Sequence, residues 1–107
     1  MARAEVHSGI CGYEVGVEVT SLDRKHVRVE LQTTCEMCLA MNPELTNLQV
    51  KGKGHEVLRR MTDSAVYESA SRHIRHPGCV VPAAIIKAIE VEIGVALPED
   101  VTIKLEK

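Results

Sequence analysis

Residues 12 to 34, GYEVGVEVTSLDRKHVRVELQTT, constrain the fold more than any other stretch of the chain. Val15, Val17 and Val19 alternate with Glu14, Gly16, Glu18 and Thr20. Val27, Val29 and Leu31 then alternate with Arg28, Glu30 and Gln32. A period of two makes a strand with one apolar and one wet face. Residues 21 to 25 are short and polar, as a hairpin connection requires. Pairing Thr20 with His26 sets Val19 against Val27, Val17 against Val29 and Val15 against Leu31, all on one face. The same count reaches Tyr13 opposite Thr33 and Cys11 opposite Cys35. A slip of one residue turns one strand's valines to solvent and is excluded, whereas a slip of two keeps the parity and stays open.

The apolar face needs a cover. Thr34 is suited to cap a short helix over residues 35 to 41, with Glu36 in its first turn. Pro43 starts a further turn, and KGKG at 51 to 54 is a flexible break. A helix is expected over 56 to 61. Another follows, capped by Thr62 or Asp63 and running to about residue 73, with Val66, Tyr67, Ala70 and Ile74 on one face. His76-Pro77-Gly78 stops it. Pro82 opens a last helix with an apolar stripe of Pro82, Ile85, Ile86, Ile89 and Ile93, closed by Gly94. Val101, Ile103 and Leu105 alternate with polar neighbours, which predicts a final strand. The expectation is one α+β domain over 1–107: a two-layer sandwich with an N-terminal β-hairpin, three to four helices and a C-terminal strand in the same sheet.

Composition sets the class of function. The 107 residues are 45% hydrophobic, enough for one core, and that core must be aliphatic because Phe and Trp are missing and Tyr occurs twice. A formal charge of −2 and the scarcity of aromatics argue against nucleic acid as a partner. Arg59, Arg60, Arg72 and Arg75 read as a solvated helix face. No apolar run is long enough to span a membrane, and the first residues lack the apolar core of a signal peptide, so a cytoplasmic protein is expected.

In a reducing compartment clustered cysteines point to metal binding or catalysis sooner than to disulfides. There are four, Cys11, Cys35, Cys38 and Cys79. Cys35 and Cys38 are three apart and share a helix face. A helix N-terminus there would favour thiolates. Cys11 lies in GICG, where glycines allow a sharp turn, and Cys79 lies just before the helix that Pro82 opens. All four fall at loop or helix-start positions. Four thiolates match a tetrahedral zinc or a cubane iron–sulfur cluster, although the spacing is that of neither a zinc ribbon nor a ferredoxin. Packing as small core hydrophobes is the plain alternative. His7, four residues before Cys11, and His76, three before Cys79, are candidate substitute ligands or donors to sulfur. Ser64, Ser69 and Ser71 carry no nucleophile elbow, and no phosphate or dinucleotide fingerprint occurs. Glu90, Glu92, Glu99 and Asp100 read as a solvated face and turn.

HSGICGY, TTCEMC and the run from HPGCVVP to the end resemble a family of short uncharacterised proteins from anaerobic prokaryotes, methanogens among them. The pieces that carry this are His7, Gly9 to Gly12, the Cys35 segment, Cys79 with Pro82, Lys87 to Glu90, and Ala96-Leu97-Pro98. The resemblance implies no activity, but it implies a low-redox cytoplasm in which an iron–sulfur centre would survive. Cys79-Val80-Val81-Pro82 is also locally similar to the Cys-Pro-x-Pro motif of sulfurtransferase-type carriers, with Val80 in place of the first proline.

Three functions follow as expectations. One is a small protein binding zinc or an iron–sulfur cluster through Cys11, Cys35, Cys38 and Cys79, with His7 and His76 in support. Another is a thiol-redox or persulfide carrier using Cys79 as nucleophile and Cys35 with Cys38 as a resolving pair. The last is a non-catalytic interaction domain, with Val91 and Val95 exposed for a homodimer or another partner.

Overall fold

The structure is a computed structural model that describes residues 1–107. It has the expected α+β class. Strands β1 (Ala2–His7), β2 (Glu14–Ser21), β3 (His26–Gln32) and β4 (Leu48–Gln49) form one antiparallel sheet in the order β1-β2-β3-β4. Helices α1 (Glu36–Leu39), α2 (Ala65–His73) and α3 (Val81–Glu92) supply the second layer. Helix α3 lies over β1 and β2, α1 packs against β3, and α2 bridges α1 and α3. Val15, Val17, Val19, Val27, Val29 and Leu31 are all buried on the covered face, meeting Val66, Val81, Ile85 and Ile89 from the helices. Each such side chain contributes about 1.5–3 kcal/mol by leaving water.

The hairpin keeps the expected parity but pairs two residues further along. Val17 faces Leu31, Val19 faces Val29 and Ser21 faces Val27. The reason is a tighter turn. The Leu22 amide donates to the His26 carbonyl at 3.0 Å. The Asp23 carboxylate accepts the Lys25 amide at 2.7 Å, which closes a three-residue loop and lets β2 extend through Ser21. Strand β1 is an addition to the hairpin. Its Ala2, Ala4 and Val6 pair with Val19, Val17 and Val15.

The far edge of the sheet is closed by side chain and loop as much as by strand. The Asn42 amide group accepts the Leu31 amide at 2.8 Å and donates to the Leu31 carbonyl at 3.1 Å, standing in for a strand residue. The Val29 amide donates to the Leu45 carbonyl at 2.9 Å, and β4 takes over beside His26 and Val27. Such pairing removes an exposed edge that would otherwise template association.

Two expected elements do not form. Residues 56 to 61 form no α-helix, with only a 3₁₀ turn, Met61–Asp63, beginning at their end, because Glu56 turns inward instead. Its buried carboxylate accepts the Ser64 hydroxyl and the amides of Ala65, at 3.1 Å, and Val66, at 3.0 Å. Those groups form the start of α2, where Ser64, not Thr62 or Asp63, is the cap and accepts the Tyr67 amide at 3.2 Å. The C-terminal strand is also missing. Residues 95 to 107 carry no regular structure, and Val101, Ile103 and Leu105 are exposed. Glu92, expected on a solvated face, instead accepts the Ser21 hydroxyl at 2.7 Å and meets the Met1 amino group at 3.3 Å. It fastens the end of α3 to the corner where β1 begins and β2 ends.

A second carboxylate ties α2 to the loop after α1. Glu44 accepts the Ser69 hydroxyl at 2.6 Å, Arg72 at 2.6 Å and His73 at 2.8 Å. The Ser69 hydrogen bond, then Arg72 and His73, hold the Glu44 carboxyl down at about 2, against an ordinary value of 4.5. A depressed carboxyl stabilises the folded chain fully above its unfolded value, and this is lost as pH falls through the folded value. Glu44→Gln will therefore flatten the fall in stability between roughly pH 4.5 and 2. Urea midpoints measured across that range check it, and equal slopes for the two proteins would contradict it.

Candidate functional site

The four cysteines are delivered by separate devices. Cys11 ends a 3₁₀ turn, Gly9–Cys11, in the connection between β1 and β2. Gly9 and Gly12 flank it at φ +79° and +78°, a region that L side chains rarely adopt. The Ser8 amide donates to the Tyr13 carbonyl at 3.1 Å and shuts the base of this loop. Cys35 is the residue before α1, in extended conformation, with its amide donating to the Thr33 hydroxyl at 3.1 Å. Thr34 is thus one residue short of the expected capping position. Cys38 lies inside α1, and Cys79 lies in the turn between α2 and α3, two residues before Val81.

All four converge. Cys11, Cys35, Cys38 and Cys79 line a single cavity of about 370 Å³, together with His76. Its remaining wall is largely apolar, from Ile10, Val15, Met37 and Ile74, with Tyr13 and Ser8 at the loop side. All four thiols are free, Cys35 and Cys38 buried, Cys79 half-buried and Cys11 exposed. Cys79 therefore does approach the hairpin. His7 does not reach the cavity. It sits at the end of β1 with Nδ1 3.1 Å from the exposed Glu14 carboxylate.

Cys38 is at the centre of the group. Burial pushes its thiol up to about 12, and hydrogen bonding and charge from Cys35, then from Cys79, add to the rise. The expected lowering by a helix N-terminus does not occur at Cys38, because α1 has four residues and offers little dipole to oppose burial. A cation entering the cavity must displace the proton that burial holds on Cys38, and its own charge is what can do so. No three His, Cys, Asp or Glu side chains stand close enough together to close round one ion.

The cavity could be found from sequence only in part. The cysteine positions were legible, but Ile74, Met37 and Val15, which dry it, carry no signal beyond being apolar. No helix is long and apolar enough to cross a membrane. The chain belongs to a family of unknown function, DUF6951, whose model matches residues 2–105. No curated protein and no solved structure matches it.

Proposed function

We propose that Cys11, Cys35, Cys38 and Cys79 hold a thiolate-bound metal centre, and that an iron–sulfur cluster suits them better than a single zinc ion. The observation that carries this reading is the meeting of four thiols, from three separate regions of the chain, on one apolar cavity. Cysteines that merely filled a core would not need to leave a cavity between them. Zinc asks its sulfurs to converge at about 2.3 Å from one point. A cluster presents separate irons to separate sulfurs, and so asks for thiols spaced round a cavity.

Within such a site the chain's residues have distinct tasks. Cys35, just before α1 and held by its Thr33 contact, and Cys38, within α1, are the buried pair. Cys79 enters from the α2–α3 turn and Cys11 closes the site from the β1–β2 loop. Each thiol gives up a proton on ligation, most reluctantly at Cys38. The apolar wall limits water, and His76 lines the same cavity from its exposed side; burial and donors to sulfur both tune a cluster's potential. The role that fits is electron transfer or cluster storage in a low-redox cytoplasm.

The test is composition. Protein purified without oxygen and without a histidine tag should contain iron and acid-labile sulfide in equal amounts, with broad visible absorption. Colourless protein with one zinc per chain would retire the cluster and leave a structural or catalytic clamp. Metal-free protein with four freely reactive thiols would overturn the metal reading. Fast alkylation at Cys79 alone would then turn attention to thiol chemistry.

A further inference from the structure

The C-terminal segment has the pattern of a strand and the surroundings of none. Val101, Ile103 and Leu105 alternate with Thr102, Lys104 and Glu106, and the three apolar side chains are 60%, 64% and 90% exposed. From residue 97 onward no hydrogen bond or ion pair joins the segment to the body of the chain. An alternating apolar segment in water leaves its apolar side chains hydrated and its backbone groups free to pair with a strand edge. The longer terminal strand of the sheet is the six-residue β1, against the two-residue β4. Strand β1 is terminal in the order β1-β2-β3-β4, and no strand pairs with its outer side. Unlike the β3 edge, it has no asparagine or loop across it.

We propose that the C-terminal segment of one chain adds to the β1 edge of a second copy, and that the exchange is reciprocal about a two-fold axis. Edge and segment match in an antiparallel register that sets Ile103 opposite Val6. Leu105 then lies opposite Ala4, extending the apolar face of the sheet. Lys104 lies opposite Glu5 and Glu106 opposite Arg3, so both exposed charge pairs are of opposite sign. A slip of two residues, with Ile103 opposite Ala4, would set Lys104 against Arg3 and is disfavoured.

The register also favours a second copy over the chain's own edge. Glu92 fastens the end of α3 to Ser21 and the Met1 amino group, at the start of β1. A short connection from that corner would feed the segment along its own β1 in the parallel sense. The antiparallel match is met by a segment arriving from another molecule. Reciprocal exchange buries both segments at once, in the isologous manner of two-fold dimers. This dimer does not depend on the thiol cavity.

Sedimentation of the full chain at micromolar concentration tests the proposal, with hydrogen exchange of residues 101 to 105 alongside. The wild-type chain should have twice the chain mass and slow exchange in that segment. Ile103→Asp should have the mass of one chain. Glu5→Lys should raise the dimer dissociation constant about tenfold, and adding Lys104→Glu should bring it back to within about twofold. Glu5, Ile103 and Lys104 are exposed in the monomer, so these changes leave its core untouched. A wild-type monomer overturns the proposal, whether its segment exchanges fast or is protected by pairing in its own chain. So does a dimer indifferent to Ile103→Asp and to the charge reversal.

Discussion

Anaerobically prepared protein with both Cys35→Ser and Cys38→Ser will carry no iron, no labile sulfide and no visible colour. These two residues are the buried half of the thiol group, and Cys38 is the one in contact with both Cys35 and Cys79. Serine offers a hard oxygen whose proton is far harder to remove than that of a thiol, so it does not replace a soft thiolate ligand. Cys11→Ser should behave differently. Its side chain is exposed and hydrogen-bonded only weakly, at 3.7 Å, to the Ser8 carbonyl. Losing it should leave a cluster that forms but is lost faster to oxygen or chelators. Burying two hydroxyls where thiols packed costs about 1–3 kcal/mol each. Far-UV circular dichroism is therefore needed to show that the double variant is folded. A folded double variant with wild-type iron content would sink the metal reading at these residues.

Glu56→Ala should be the most destabilising single change outside the core. The carboxylate is 3% exposed and holds three donors at the start of α2: the Ser64 hydroxyl and the Ala65 and Val66 amides. Alanine leaves these three donors with no acceptor. Hydrogen bonds to a charged group are worth about 1.5–3 kcal/mol each, and part of the loss is recovered by relaxation, so a total near 3 kcal/mol is expected. For a domain of this size that lowers Tm by more than about 10 °C. Glu56→Gln should recover only part of it, since its NH2 group cannot accept. A change below about 1 kcal/mol in urea unfolding would mean that α2 is not held by this carboxylate.

The particular residues show which parts of the fold were legible. The valines of the hairpin determined face and parity, because a strand's side-chain period is fixed. They did not determine the register, which was decided by the Asp23 side chain closing a three-residue turn. Strand β1 has the same alternation in Ala2, Ala4 and Val6, but alanine is a weak strand former and the signal was faint. Residues 101 to 107 have the stronger pattern and yet form no strand within the chain, since a strand needs a partner that the pattern does not name. Glu56 was misread as a helical residue because nothing local marks a carboxylate that will turn inward nine or ten residues ahead of the amides it accepts. The cysteines were the most informative single residues. Their loop and helix-start positions singled them out, and the cavity that unites them depends on α2 and α3 folding back over the sheet.

The most direct test of the central claim is a thiol footprint. Anaerobically purified, metal-containing protein is treated with iodoacetamide under native conditions, before and after removal of the metal by a chelator, and each cysteine is read by mass spectrometry. The account predicts that Cys11 and Cys79, the exposed and half-buried thiols, are protected together while the metal is bound and released together on chelation, whereas the buried Cys38, with its thiol pushed up to about 12, stays slow in both states. Alkylation of Cys11 and Cys79 while the metal stays bound would contradict it.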